Sequence, residues 1–75
     1  MSAPAIRTWR RDYPDGSFGT VSEAELSYVG VYHPSGGGTG IIRFTLSLEL
    51  ARIAVDGIAS QPPAPHEWLL SPSQS

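Results

Sequence analysis

The segment 40–46 (GIIRFTL) alternates large apolar residues with other residues. Ile42 and Phe44 fall on one side of an extended chain, which predicts a β-strand. Two earlier segments, 5–13 (AIRTWRRDY) and 25–33 (ELSYVGVYH), are rich in β-branched and aromatic residues and also predict strands. The hydrophobic pattern therefore predicts three strands before residue 47.

The period of the pattern changes after Ser47, where the segment 48–59 predicts a helix. Ser47 is a favourable N-cap, and Glu49 lies in the first turn, where a negative charge suits the helix dipole. Glu49, Arg52 and Asp56 fall at i, i+3 and i+7 and form one polar stripe. The other residues of this segment are apolar or small, so we expect a helix with a wide apolar face.

Two short segments predict turns. In 13–17 (YPDGS), proline sets one turn dihedral and glycine accepts a positive φ. The segment 33–40 (HPSGGGTG) precedes a strand, whereas a phosphate-binding loop needs a helix after its glycines and a lysine. The chain has no lysine, so we expect a hairpin loop there and no nucleotide site. The segment 18–25 stays open between a strand and a helical turn, because Ser22–Glu25 matches a capping box.

Together these elements predict an α+β fold. Its core is a small three-stranded antiparallel β-meander, with one C-terminal helix packed on it and a Pro-rich tail. We expect residues 1–60 to form a single small domain and residues 61–75 to form a Pro/Ser-rich, partly disordered tail. The core of so short a chain rarely supplies more than roughly 3–5 kcal/mol without a further staple.

The composition argues against several classes of protein, among them disulfide-stabilised and membrane-spanning proteins. There is no cysteine, so neither a disulfide framework nor a thiolate zinc site is available. The formal net charge of −2 argues against a protein that depends mainly on phosphate attraction. No apolar run has the length of a membrane span or a signal peptide, so we expect a cytoplasmic protein. All five basic residues are arginine, which indicates a GC-rich genome, bacterial or phage.

The chain offers few residues for catalysis. Its two histidines, His33 and His66, lie at a strand end and in the proline-rich tail, and no serine lies in a nucleophile elbow. A metal site built from these histidines with Asp15 and Glu67 has no supporting spacing. We therefore expect no enzyme activity, no metal and no cofactor.

Arginine and aromatic residues alternate at every second position from Arg7 to Tyr13. On one strand face they would offer anchors to a protein partner, or stack on bases and contact phosphates. They could equally form a solvated sheet face on which arginine stems cover the rings. The predicted partner contacts are Trp9, Arg10, Arg11, Tyr28 and Tyr32.

One helix on one small sheet cannot cover all the apolar surface that the pattern predicts. Large uncovered apolar patches mark interaction sites, and a symmetric homodimer is the simplest solution. In that case Leu50 and Ile53 would mediate self-association. Alternatively, the tail residues Trp68, Leu69 and Leu70 fold back over the uncovered side or dock on a different protein.

These observations predict a non-enzymatic protein-binding or regulatory module that occupies a surface on a larger protein. In its size and its lack of cysteine and of catalytic groups, the chain resembles in kind the small inhibitors that phages and mobile elements use against host enzymes. Anti-CRISPR proteins are among these inhibitors, and no shared motif underlies the resemblance. Two other functions stay open: a small nucleic-acid-binding regulator that uses the arginine–aromatic strand, and an accessory subunit of a larger enzyme.

Overall fold

The structure is a computed structural model, and it describes residues 6–71 of the chain. These residues form an α+β fold, in which one α-helix packs on an antiparallel sheet. The elements in chain order are β1 (Thr8–Asp12), β2 (Phe18–Glu23), β3 (Tyr28–His33), β4 (Ile41–Thr45), α1 (Leu48–Ile58), a 3-10 helix (Pro65–Glu67) and β5 (Leu69–Ser71).

The sheet has five strands, and the sequence-based expectation of three was wrong. Its order is β4-β3-β2-β1-β5, and all neighbouring strands are antiparallel. β2 comes from the segment 18–25, where the sequence left a helical turn open, and β5 comes from the tail. The predicted strand 5–13 contains β1, while its first residue lies outside the described residues.

The two predicted turns join strands. Between β1 and β2, the amide of Gly16 donates to the carbonyl of Tyr13 at 3.1 Å, and Gly16 has a φ of 90°. Between β3 and β4, Gly37 and Gly38 have φ values of 79° and 94°, a region that favours glycine. Apart from the chain neighbours, no atom of residues 6–71 lies within 4 Å of a Cβ built on either of them, so this loop extends away from the rest of the described chain.

The helix α1 begins where the sequence predicts it. The Ser47 hydroxyl accepts a hydrogen bond from the amide of Leu50 at 3.0 Å, which caps the first turn. The helix ends at Ile58, one residue before the predicted end. No helix within residues 6–71 has the length and apolar character needed to cross a membrane.

The orientation of α1 differs from the one that its polar stripe suggests. The helix buries Ala51, Val55 and Asp56 against the sheet, and it leaves Leu50 and Ile53 exposed. One charged member of the stripe therefore lies in the core, while two apolar residues face outward.

The tail is part of the fold as far as the structure describes it. Trp68 is only 5% exposed and belongs to the core, and β5 pairs with β1. Of the three tail residues expected to fold back together or to dock elsewhere, Trp68 lies in the core, whereas Leu69 and Leu70 are exposed. Residues 72–75 of the predicted tail lie outside the described residues. The buried hydrophobic residues are Trp9, Tyr13, Val21, Ala51, Val55 and Trp68.

Candidate protein-binding surface

Most of the predicted partner contacts lie in or against the core. Trp9 and Arg11 point to the helix side of β1 and are 8% and 7% exposed, so they offer almost no surface to a partner. Tyr28 is half-buried, with its ring 6.5 Å from that of Trp9. Tyr32 is also half-buried. Of the predicted contacts, Arg10 alone is exposed.

The alternation of arginine and aromatic residues on β1 serves a buried polar network around Asp56. The Asp56 Oδ1 atom lies 2.8 Å from Arg11 Nη1, and it accepts a hydrogen bond from the Tyr13 hydroxyl at 2.8 Å. The Trp68 indole nitrogen donates to Asp56 Oδ2 at 3.4 Å, and Arg11 Nη1 also donates to the carbonyl of Pro62 at 3.1 Å. The network therefore ties β1, the helix and the tail together.

Tyr13 is held in its neutral form by this network. Burial is the main cause that raises the pKa of Tyr13 above its usual value, followed by the hydrogen bond to Asp56 and the charge of that carboxylate. The Arg11 guanidinium opposes this shift, because a positive charge favours the phenolate. A phenol that keeps its proton can donate a hydrogen bond to the buried carboxylate, and this hydrogen bond stabilises the fold.

The other face of the sheet carries a partly exposed stack of three side chains. The Arg10 guanidinium lies 3.9 Å from the centre of the Phe18 ring, and the His33 ring stacks on Phe18 at 4.3 Å with an interplanar angle of 10°. Asp12 Oδ1 lies 2.9 Å from Arg10 Nη2, and Thr20 Oγ1 lies 3.3 Å from His33 Nε2. The stack is thus held in place from both ends.

This stack leaves Phe18 without an open ring face. Its neighbours on β1 and β3 cover it from both sides, since β2 lies between those strands. Single-stranded nucleic acid binds to sheets by stacking bases on such rings. Phe18 therefore does not provide a platform of that kind, and the aromatic residues of β1 are buried.

The face that carries the stack also exposes large apolar side chains. The register places Phe44 beside Val29 on this face, and Leu69 beside Arg10. Phe44 is 73% exposed and Leu69 is 68% exposed. We call this surface, which includes Arg10, Phe18, His33, Ile42, Phe44 and Leu69, the outer sheet face.

The residues predicted for self-association lie on a second surface. Leu50 and Ile53 face away from the sheet on α1, and Leu46, just before the helix, is also exposed. We call these three residues the helix stripe. The alternation in 40–46 predicted the strand but not the exposure of its side chains. Phe18 was not singled out because the segment 18–25 stayed open between a strand and a helical turn, and His33 was considered only for catalysis and metal binding.

The groups available for catalysis or metal binding are scattered in the described part of the chain. No set of three or more His, Asp or Glu side chains among residues 6–71 is placed to hold a metal ion. A groove of about 80 Å³ lies between α1 and the proline-rich segment, lined in part by Arg52, Ile53 and Pro63. Ligand pockets are usually about 300–1,000 Å³, so this groove has room for little more than water.

Comparison of this chain with protein-family models, with curated proteins and with solved structures gives no match. The functional assignment therefore depends on the surfaces described above.

Proposed function

We propose that this protein is a non-enzymatic binding module that occupies a surface on a larger protein through its outer sheet face. The observation that carries the proposal is the exposure of Phe44 and Leu69 on the sheet face opposite the helix. Exposure of an apolar surface to water is unfavourable, so covering it with a partner lowers the free energy and favours binding.

The outer sheet face has the composition of a protein interface. It combines exposed apolar residues with Arg10 and Phe18, residue types that are enriched in such interfaces. The ion pair with Asp12 and the stack on Phe18 already fix the Arg10 side chain, so little side-chain entropy is lost on binding. Charge on this face is nearly balanced, which suits a protein partner better than a phosphate backbone.

The position of the polar residues supports a protein without catalysis. Arg11 and Asp56 neutralise each other in the core, where no substrate reaches them. His33 is engaged by Phe18 and Thr20. The proposal therefore assigns no residue to a chemical step, and it implies no metal and no cofactor.

The same surface serves an inhibitor or an accessory subunit, since each acts by covering part of a larger protein. We favour a cytoplasmic inhibitor or regulator from a GC-rich bacterium or phage, in line with the arginine-only basic residues. We also propose that the module acts as a homodimer, because the helix stripe is exposed in addition to the outer sheet face.

The proposal can be tested with two charge-changing variants on the outer sheet face, Arg10→Glu and Leu69→Lys. The tagged protein is used to capture its partner from a lysate of the encoding cell, and the affinity for the purified partner is then measured by calorimetry. We expect each variant to bind at least tenfold more weakly. Leu26→Lys is the matched control, because Leu26 is 87% exposed in the turn between β2 and β3 and should not affect binding.

Two results would count against this function. In the first, both outer-face variants bind the partner as tightly as the wild type does. In the second, the captured partner is a nucleic acid, and its affinity falls steeply between 50 and 200 mM salt, as counterion release requires. The second result would support the alternative of a nucleic-acid-binding regulator.

A further inference from the structure

We infer that two copies of this chain join through β4, so that their sheets form one continuous ten-stranded sheet with Phe44 opposite Phe44 of the second copy. The inference rests on the proposed self-association and specifies the surface that makes it. Four observations support it: the backbone groups at the sheet edge, the unprotected character of that edge, its side chains and its extent.

The backbone of β4 directs hydrogen-bonding groups outward from the sheet, and the Ile42 carbonyl among them is already bonded to the Arg43 side chain, which must move aside when a second strand pairs. The amide of Tyr13 donates to Ser17 at the β1–β2 turn, and the amide of Ala24 donates to Ser27 at the β2–β3 turn. In an antiparallel pair, every second residue is hydrogen-bonded to the neighbouring strand on one side. When this alternation is followed from the two turns through the registers to β4, the backbone groups of Ile42 and Phe44 point away from β3. In agreement, the carbonyl of Ile42 accepts a hydrogen bond from its neighbour's side chain, Arg43 Nη1, at 3.0 Å.

The two edges of the sheet differ in their protection. β5 has three residues, and Pro72 follows it in the sequence; short strands and prolines discourage further pairing. β4 has five residues, no proline and no lysine, and Arg43 is its only charge. An edge strand that is mostly apolar and contains no proline presents a template on which another strand can pair. The asymmetry indicates that pairing occurs at β4.

The side chains distinguish between two registers of antiparallel self-pairing. If the twofold axis passed through Arg43, two guanidinium groups would lie directly opposite each other, which is unfavourable. If the axis passes through Phe44, the two phenyl rings meet, Ile42 lies opposite Leu46, and Arg43 lies opposite Thr45. Aromatic and apolar cross-strand pairs stabilise a sheet, so the second register is favoured.

The sheet edge and the helix stripe together expose several large apolar side chains. A standard interface buries about 800 Å² on each partner, which is roughly one-sixth of the 5096 Å² that this chain exposes. α1 follows β4 directly and contacts it, so the helix stripe adds exposed apolar side chains on the helix side of the sheet, opposite the face that carries Ile42 and Phe44. Together these contribute six exposed apolar side chains: Ile41, Ile42, Phe44, Leu46, Leu50 and Ile53.

A second copy is the occupant that best fits these features. Twofold pairing covers the same unprotected edge on both copies at once and leaves no β4 edge for a third chain, so the assembly closes at two. The protected β5 edges then become the two ends of the ten-stranded sheet. Arg10 and Leu69 lie on the β1 and β5 side and remain available to a different partner.

The first test is the mass in solution by light scattering over a hundredfold range of concentration. We expect a dimer for the wild type and at least tenfold weaker dimerisation for Phe44→Lys. Leu69→Lys is the matched control, since it introduces the same charge at an equally exposed position on the opposite edge and should stay dimeric. Circular dichroism of each variant checks that the fold is retained.

The second test uses the absence of cysteine from the chain. Directly opposed residues of a bonded antiparallel pair lie about 5.5 Å apart at Cα, within the range that a disulfide spans. Under mild oxidation, we expect Phe44→Cys to form a covalent dimer at least tenfold faster than Leu69→Cys. Equal rates for the two variants would overturn the Phe44 register.

The outcomes separate this inference from the proposals on which it rests. A wild-type protein that stays monomeric at all concentrations would overturn both self-association and pairing through β4. A dimer that persists in Phe44→Lys but is lost in Leu50→Lys with Ile53→Lys would keep self-association and overturn pairing through β4. Binding to an outside partner is tested separately by the Arg10 and Leu69 variants.

Discussion

Asp56 is the residue on which the interior of this protein depends most. Three side chains from two other parts of the chain, Arg11, Tyr13 and Trp68, point to its carboxylate. A charge this deeply buried is tolerated only when it is paired and hydrogen-bonded. One carboxylate therefore fixes the positions of β1, the helix and the tail relative to one another.

Replacement of Asp56 by asparagine should remove most of the stability of the fold. The amide keeps the size of the side chain and can still accept the Tyr13 hydrogen bond, but Arg11 would be left as a buried cation without a counter-charge. Breaking such a pair costs about 3–5 kcal/mol, which equals the whole stability expected of a domain of this size. We expect Asp56→Asn to be largely unfolded at 25 °C by circular dichroism.

The double variant Arg11→Met with Asp56→Asn separates the effect of an unpaired buried arginine from the effect of losing the carboxylate. Because both charges are removed together, no unpaired ion stays buried, and we expect a larger folded fraction than in Asp56→Asn alone. If urea denaturation gives Asp56→Asn a free energy of unfolding within about 1 kcal/mol of the wild-type value, the Arg11–Asp56 ion pair does not determine the stability of the fold.

At the scale of elements, the close approach of α1 to the sheet depends on two glycines. A Cβ at Gly19 would lie 2.5 Å from Val55 Cγ1 and 2.8 Å from Trp68 Cη2, and one at Gly30 would lie 2.8 Å from Val55 Cγ2. The absence of side chains at these positions lets Val55 sit directly on β2 and β3. The absence of a side chain at Gly19 thus allows both the helix, through Val55, and the tail, through Trp68, to approach the sheet closely.

We expect Gly19→Ala to lower the free energy of unfolding by about 1–3 kcal/mol, because the added methyl group overpacks the contact with Val55 and Trp68. Gly57→Ala is the matched control: within the described part of the chain, no atom outside the helix's own backbone lies within 4 Å of a Cβ at that position, and alanine favours a helix. It should be neutral or stabilising by up to about 1 kcal/mol. Urea denaturation measures the free energy of unfolding of both variants. Equal stability of Gly19→Ala and the wild type would contradict the close approach of Val55 and Trp68 to the sheet.

The sequence predicts those elements that are defined by local patterns. Ser47 marks the start of α1, and the period-two pattern after the glycine loop identifies β4. β2 was left open because its core-facing positions include Gly19 and only one large apolar residue, Val21, so its alternation is weak. β5 is only three residues long and depends on pairing with β1, a contact across some sixty positions that no local pattern encodes.

The candidate site was predictable only in part, for the same reason. The alternation from Arg7 to Tyr13 correctly places these residues on one face, but it does not show that the helix covers that face. The partner of Arg11 is Asp56, and the interpretation of Asp56 as part of a polar stripe on α1 gave no sign of burial. The surplus of apolar residues on the predicted helix did indicate Leu50 and Ile53 as uncovered, and both are exposed, whereas the exposure of Phe44 was not predicted.

At the scale of the whole molecule, the first and last strands lie side by side, so the buried network is reached only when the entire chain has folded. The protonation of Tyr13 should then be coupled to global unfolding. Its pKa is raised in the folded state, so the folded protein retains a proton that the unfolded chain loses above its ordinary tyrosine pKa of about 10. The stability from this proton is fully present below about pH 10 and is lost as the pH rises towards the folded-state pKa.

We therefore expect the free energy of unfolding to fall with pH above about 10, by up to about 1.4 kcal/mol per pH unit from Tyr13 alone. Urea denaturation at a series of pH values measures this slope. Tyr13→Phe is the control: it should be less stable than the wild type at pH 7, because Asp56 loses a hydrogen bond, but its stability should fall less steeply above pH 10. The same slope in both proteins would mean that Tyr13 ionises without unfolding the chain, and that the Asp56 network does not hold its proton.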